Sequence, residues 1–339
     1  MTTMTATVTA PQYSAPTSKQ PSTVSVIVCA YTDERWDDIA RGIESLRTQT
    51  HRPEQIVLVI DHNNELLEQA ANTYASPFAN TGGMRIDVVA NTLSRGLSGA
   101  RNSGVQWCDG DVIAFLDDDA RAGDAGWIEA MVEQYRDPLV AGVGGGATPN
   151  WDGQTQPGWF PQEFGWVIGC SYTGLPTAAD EVRNFIGCNM SFRREVFETI
   201  GGFTDGIGRV GKKPVGCEET EYCIRLRQRY PRARLIFDPR LDVFHRVSPD
   251  RREFKYFRSR CWSEGLSKAV VTRNVGAQDG LASERAYTTK VLPTGVVRGL
   301  GNGLRGRTDG FKRAGAIVIG LLWTAAGYAR GRLARSTAA

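Results

Sequence analysis

Three carboxylates in a row, Asp117-Asp118-Asp119, follow directly on the apolar run Val112-Ile113-Ala114-Phe115-Leu116. A short continuous apolar run fits a strand buried on both faces. Like charges gathered at the end of such a strand repel one another and lose hydration, so packing alone does not favour them. A hard divalent cation resolves the conflict by taking carboxylate oxygens. Open α/β sheets bind ligands beyond the carboxyl ends of their strands. The stretch therefore fits a metal-assisted phosphate or nucleotide site, with an acidic turn in water as the plain alternative.

Other polar groups fall in similar places. Asp61 follows a second apolar run, Ile56–Ile60, and suits either a turn or helix cap or a hydrogen-bond acceptor for a base or ribose. The segment Asn91–Asn102 holds Gly96 and Gly99, which let backbone approach a ligand closely, and Arg95 and Arg101, whose guanidiniums are shaped for a diphosphate. Solvated arginines at a helix start would look the same. Gly206–Val215, with Lys212 and Lys213, reads as a flexible loop, and Gly216-Cys217-Glu218-Glu219-Thr220-Glu221 opens a helix running through Arg229. Acids at a helix start suit the dipole, but three in four residues after a Gly/Lys loop is a denser set than capping needs. The aperiodic stretch Asn150–Ala179 carries Trp151, Trp159, Phe160, Phe164, Trp166 and Tyr172, either as a loop-rich wall of the core or as a platform for a sugar or lipid acceptor.

The elements that would position these groups alternate strand and helix. Val24–Ala30, Ile56–Ile60, Arg85–Ala90, Val112–Leu116, Val140–Ala147, Val182–Phe192, Ala233–Phe237 and Val243–Phe244 read as strands. Trp36, Ile39, Ala40, Ile43 and Leu46 recur at helical spacing; further helices are expected near Glu65–Tyr74, Ala125–Tyr135, Arg193–Ile200 and Asp250–Thr272. Repeated strand-then-helix units predict parallel strands with right-handed crossovers. The 339 residues suffice for a substantial core, and 41% apolar with 23% charged residues is ordinary for a globular protein. A net charge of +3 does not argue for nucleic acid. The seven cysteines form no C-x-x-C pair and read as reduced core residues, not as a zinc site. Residues 1–22, rich in Thr, Ser, Ala, Pro and Gln, lack a signal-peptide pattern and read as a disordered leader. From Arg298 onward there are eight Lys/Arg and one acid, Asp309, around the charge-free stretch Ala314–Ala329. A helix of that length, at about 1.5 Å per residue, falls short of the roughly 30 Å bilayer core. It reads as a helix on the cytoplasmic leaflet, with a short span or a packed helix as alternatives.

Taken in order, Val24–Tyr31, Ile56–Asp61, Gly96–Asn102, Phe115–Asp119, Gly187–Arg194 with Gly201-Gly202-Phe203, Glu218–Glu221 and His245 resemble the family 2 glycosyltransferases. The resemblance covers roughly residues 24–270 and implies an α/β fold of the GT-A (Rossmann-like) type. That fold has a mixed, mostly parallel central sheet flanked by helices, here with a C-terminal helical extension. The chain would divide into the leader, a glycosyltransferase domain over 23–272 (nucleotide-binding half 23–120, acceptor and catalytic half 121–272), a linker over 273–310 and an apolar helix over 311–335. By resemblance, Ala30, Tyr31, Asp61 and Arg101 would hold the base, with Gly96 beside them. Asp117 would bind the ribose, Asp119 a metal with Asp118 beside it, and His245 is a further metal ligand in some members. The family usually has Glu-Asp where this chain has Glu218-Glu219, so the catalytic base falls to Glu219, one methylene longer, with Glu218 the other candidate. The implied cofactor is Mn²⁺ or Mg²⁺ and the donor a nucleotide-diphosphate sugar, a UDP-sugar first. The acceptor would be a glycan or lipid-linked hydroxyl, attacked with inversion. The expected location is cytoplasmic and peripheral on an anionic inner membrane face, with no nucleic acid as partner. The competing readings are a phosphotransferase or nucleotidyltransferase using the aspartates, and a catalytically silent sugar-nucleotide or membrane-binding module.

Overall fold

The apolar run before the three aspartates becomes a strand with two covered faces. Val112, Ala114 and Leu116 enter one core layer with Ile39, Ile43, Trp127 and Met131. Ile113 and Phe115 enter the opposite layer with Phe192, Phe197, Phe203 and Tyr222. Alternation at period two explains why no polar residue interrupts the run. The structure is a computed structural model that describes residues 21, 23–74, 83–209, 216–280 and 286–334. Nearly all of the expected leader, Lys212 and Lys213 of the glycine loop, and part of the expected linker lie outside the described residues.

The first half alternates β1 (Val24–Ala30), α1 (Trp36–Arg47), β2 (Gln55–Ile60), α2 (Asn64–Tyr74), β3 (Arg85–Ala90), α3 (Leu97–Val105) and β4 (Val112–Asp117). Next come β5 (Ala120–Ala122), α4 (Trp127–Gln134), β6 (Val140–Gly144), β7 (Ala147–Asn150), β8 (Asp180–Glu181), β9 (Asn189–Arg193) and α5 (Arg194–Ile200). The remainder holds α6 (Glu218–Arg229), β10 (Arg234–Phe237), β11 (Val243–Arg246), α7 (Phe254–Val275), α8 (Leu292–Leu304) and α9 (Asp309–Leu333). Eight strands form the main sheet in the order β3-β2-β1-β4-β9-β6-β10-β8, and β5-β11-β7 form a small second sheet. The pairs β3–β2, β2–β1, β1–β4 and β6–β10 are parallel. β9 is antiparallel to both of its neighbours, and β8 to β10. This is the α/β, GT-A arrangement expected, with a mostly parallel sheet and helices on both faces.

Two expectations are corrected. Of the strand expected over Val182–Phe192, only residues from Asn189 pair in the ladder. A bridge between Ile186 and Asn189 closes a tight turn, and the Gly187 carbonyl leaves the sheet to accept from Arg101 Nη2 at 2.8 Å. The stretch 273–310, expected as a linker, is largely helical: α7 runs to Val275, a single turn spans Ala277–Gly280, and a π-helical turn at Tyr287–Val291 leads into α8. Glycines at 295, 299, 301 and 303 disguise α8, since each costs about 1 kcal/mol of helix propensity relative to alanine. Tertiary packing compensates, because Gly299 and Gly303 let α8 lie against Gly310 and Phe311 of α9.

The expected C-terminal helix extends well beyond Ala314–Ala329 and docks on the domain. Its Ile317 joins Phe164, Phe257 and Leu292 in a third core cluster. α9 crosses α7 at very short range: a Cβ on Gly265 would fall 2.1 Å from the Thr324 carbonyl oxygen, and one on Gly327 2.2 Å from that of Trp262. No helix among the described residues is long and apolar enough to cross a membrane.

The Gly265→Leu variant should lose at least 1–3 kcal/mol in thermal unfolding, because the obstructing atoms are backbone and the helices must separate. Gly315→Ala, in α9 with open space around it, should gain up to about 1 kcal/mol. An unchanged melting temperature for Gly265→Leu would show that α7 and α9 do not pack as described.

Candidate active site

The order of β1 to β4 fixes where a ligand can enter. β2 and β3 lie on one side of β1 and β4 on the other, so the chain reverses its direction of travel across the sheet between β1 and β4. Loops diverge at such a switch point and leave a crevice beyond the strand ends. Ala30 and Tyr31 at the end of β1, and Asp117 and Asp118 at the end of β4, open into a cavity of about 670 Å³ there. Asp61, Arg101, Glu218, Glu219 and His245 line the same cavity. Asp119 and Gly96 sit behind that wall: Asp119 is 7% exposed, and the Gly96 N–H donates to Asp61 Oδ2 at 3.0 Å.

The small sheet brings the histidine to the aspartates. β11 pairs antiparallel with β5, placing His245 opposite Ala120, and the Arg246 N–H donates to the Asp119 carbonyl at 2.8 Å. His245 Nε2 then lies 3.1 Å from Asp119 Oδ1. One ligand atom from each of Asp117, Asp119 and His245 lies within 4.8 Å of the other two. Two carboxylate oxygens and an imidazole form a donor set suited to Mn²⁺ or Mg²⁺. Asp118 adds a buried Oδ2 with no hydrogen-bond partner among the described residues. The residues fit the expected cation.

Two arginines not singled out in the sequence hold this cluster. Arg35 Nη1 contacts Asp118 Oδ1 and lies 3.1 Å from Asp119 Oδ2; Arg251 Nη2 lies 3.5 Å from that same oxygen. No spacing rule marks either one, since each reaches the site only through its loop or short 3₁₀ turn. Burial opposes charge on Asp119, but His245, Arg35 and Arg251 hold its carboxyl well below the usual range. Burial also opposes charge on His245, yet Asp119 lifts the imidazole to about 10. Asp118 goes the other way: burial, with Asp119 and Asp117 adjacent, pushes it up to about 7 despite Arg35.

Arg101 ties the two acidic groups together. It is 2% exposed, with Nη1 on Glu218 Oε1 at 2.8 Å and Nη2 on Asp117 Oδ1 at 3.2 Å. Its carboxylate contacts thus take donors that a diphosphate would otherwise use, while Arg95 is exposed and outside the cavity wall. Cys217, at φ 76° in the left-handed region, turns the chain into α6 and presents Glu218 and Glu219 in its first turn. The two are placed differently: Glu218 is buried against Arg101, whereas Glu219 is half-buried, faces the cavity and accepts from Thr220 Oγ1 at 3.1 Å. Burial, then the neighbouring Glu218 carboxylate, pushes Glu219 up to about 8. A half-buried carboxyl held near neutrality is suited to accept a proton from a bound hydroxyl. The aromatic stretch divides: Phe164, Trp166 and Tyr172 face the cavity, while Trp159 packs on Phe254 and Phe257, Phe160 on Phe257, and Trp151 on Phe160.

A carboxyl raised from about 4.5 to about 8 keeps its proton in the folded chain over a range where the unfolded chain has lost it. Stability contributed this way falls as pH rises through that window. Glu219→Gln should therefore melt a few degrees above the wild type at pH 8, with the gain shrinking towards pH 5. Equal melting-temperature shifts at both pH values would rule out a raised Glu219.

Residues 25–201 match the family described as glycosyl transferase family 2. A glucosyl-dolichyl phosphate glucuronosyltransferase of Haloferax volcanii is 36% identical over 251 residues, covering 73% of this chain and 77% of that protein. A polypeptide N-acetylgalactosaminyltransferase 5 of Mus musculus is 32% identical over 115 residues, 33% of this chain and 12% of its own. Among solved structures, a mannosyltransferase of Pyrobaculum calidifontis in complex with GDP-mannose and Mn²⁺ superposes with a TM-score of 0.53 at 15% identity, covering 91% of this chain and 88% of that one. GalNAc-T7 with UDP, GalNAc and Mn²⁺ superposes with a TM-score of 0.50 at 17% identity, covering 78% of this chain and 53% of that one. At these identities the structural likeness speaks for the fold alone.

Proposed function

The chain belongs to the family 2 glycosyltransferases, and on that premise we propose that it moves a sugar from a UDP-sugar to a hydroxyl of a lipid-linked acceptor, with inversion. The observation that carries this reading is a single cavity with Asp117, Asp118 and His245 in one part of its wall and Glu219 in another. Ala30, Tyr31 and Asp61 take the base side of the nucleotide, with Gly96 supporting Asp61 from behind. Asp117, Asp119 and His245 would hold Mn²⁺ or Mg²⁺, with Asp118 beside them. A divalent cation bound there offsets the charge of the leaving diphosphate. Glu219 accepts the proton of the acceptor hydroxyl as that oxygen attacks the anomeric carbon opposite the leaving group. Glu218, paired with Arg101, anchors the first turn of α6 and so aims its neighbour.

The lipid-linked acceptor is supported by the glucosyl-dolichyl phosphate substrate of the Haloferax volcanii relative and by the outer surface of the C-terminal helices. Phe311, Val318, Leu322 and Leu333 form an exposed row along α9, and Val297, Leu300 and Leu304 a second along α8. Arg305, Arg307, Lys312, Arg330 and Arg332 flank the two rows in sequence, while Arg298 turns to Glu163 and Arg313 to the Gly158 carbonyl. Apolar rows with a basic border match an anionic membrane surface, on which the chain would sit peripherally.

Transfer to a short-chain lipid-phosphate sugar should release nucleoside diphosphate and glycosylated lipid in equal amounts; free inorganic phosphate or diphosphate instead would favour the phosphotransferase or nucleotidyltransferase reading. Glu219→Gln should cut transfer by about 10²–10⁴-fold while the nucleotide sugar still raises the melting temperature. Asp119→Ala should weaken donor binding in calorimetry with Mn²⁺ present and have far less effect without it. Wild-type turnover in Glu219→Gln would remove the base assignment. On membranes, the wild type should float with anionic vesicles and Leu322→Glu should not; flotation of both would remove α9 from the contact.

A further inference from the structure

One wall of the cavity has no task in the reaction described so far. α7 carries Arg260, Glu264 and Lys268 at four-residue spacing, so all three side chains share a face, and all three line the cavity. Arg260 Nη1 lies 2.9 Å from Glu264 Oε2, and Lys268 Nζ 3.2 Å from Glu264 Oε1. Side-chain exposures are 13%, 11% and 19% in chain order. Two cations thus share one carboxylate on a largely dry wall. The Cys217 thiol also donates to Glu264 Oε1 at 3.4 Å, and Arg260 is stacked over Trp166. Burial works against charge on Glu264, yet Lys268 and Arg260 hold its carboxyl down to about 2. Arg260 and Lys268 thus present two cationic side chains to the cavity, a pair of donors suited to an anion.

The cluster lies beside Glu219. Arg260 Nη2 is within 3.3 Å of where a Cβ would stand on Gly216, and the Glu264 carboxylate is close enough to help raise Glu219. The rest of this part of the cavity is largely apolar: Tyr287, Val291 and Leu292 contribute one side, and Leu321, Ala325 and Tyr328 of α9 contribute another. Leu321 is also 37% exposed, and Leu322, next in the chain, belongs to the outer apolar row. A cationic floor beside the proposed base, with an apolar wall formed by the helix that carries that row, matches one ligand chemistry: a phosphate ester with a long hydrocarbon chain.

We propose that Arg260 and Lys268 bind the phosphate of the lipid-linked sugar acceptor, that Glu264 holds their side chains in place, and that the hydrocarbon leaves between Tyr287–Leu292 and α9. This rests on the lipid-linked acceptor read above and assigns its phosphate subsite. The test is equilibrium binding to the full-length chain of a C10 isoprenyl phosphate and of the matching uncharged alcohol, without donor or turnover. Lys268→Gln should weaken the phosphate probe about tenfold, the scale of one charge-assisted contact. Lys268→Gln with Arg260→Gln should abolish that binding, and Lys268→Arg should retain it. Affinity for the alcohol and the melting-temperature rise given by nucleotide sugar should not change in any of the three. Equal phosphate affinity in wild type and the double variant would overturn the proposal, as would a nucleotide-sugar response lost in parallel, because the cations would then serve the donor. The two readings fail separately. Lys268-dependent phosphate binding by a chain that transfers no sugar overturns the function and keeps the subsite; transfer indifferent to Lys268→Gln overturns the subsite and keeps the function.

Discussion

Like charge confined at the end of a sheet is the constraint on which the site depends. Five carboxylates (Asp117, Asp118, Asp119, Glu218 and Glu219) converge where β4 and α6 meet. Facing them are three guanidiniums (Arg35, Arg101 and Arg251) and the imidazole of His245. Several of these groups are buried, where each unbalanced charge is expensive. The structure answers by dividing labour. Arg101 joins Asp117 to Glu218, Arg35 and Arg251 hold Asp118 and Asp119, and the balance still favours a further cation. Burial and the neighbouring Glu218 carboxylate leave Glu219 inclined to take a proton.

Each group of the candidate site is set by an element with its own reason to be there. The aspartates sit where β4 ends because the apolar run before them must be covered on both faces. Cys217 in the left-handed conformation forces the turn that starts α6, so two successive glutamates diverge, one to Arg101 and one to the cavity. His245 comes in on the small sheet, where its strand lies between β5 and β7. A displacement in any of these pairings would change the charge balance of the whole cluster, because the ion pairs share partners.

The C-terminal helices belong to the same cavity. α9 lies on α7 through Gly265 and Gly327, and the contact is so close that only glycine fits. That contact places Leu321, Ala325 and Tyr328 in the cavity wall while the adjoining row faces outward. The cavity wall and the exposed apolar row thus share one helix.

Local pattern was enough for much of this. The period-two burial of Val112–Leu116, the helical spacing from Trp36 to Leu46 and the acids following strand ends announced an α/β sheet with a charged rim. The ordered motifs placed Asp117, Asp119, Glu219 and His245 in one family. Where sequence misled, tertiary contact had overridden propensity. Gly187 turns away from the sheet because Arg101 takes its carbonyl, and α8 is helical despite four glycines because Gly299 and Gly303 admit α9. Arg35, Arg251, Arg260 and Lys268 carry no spacing that distinguishes them from solvated basic residues. Periodicity and strand-end chemistry are local, so the chain alone determined that a sheet would present carboxylates to a ligand. Ion pairing is long-range in sequence: which of Glu218 and Glu219 meets Arg101, and which arginines hold which acids, was decided only when residues over a hundred positions apart came within hydrogen-bonding distance.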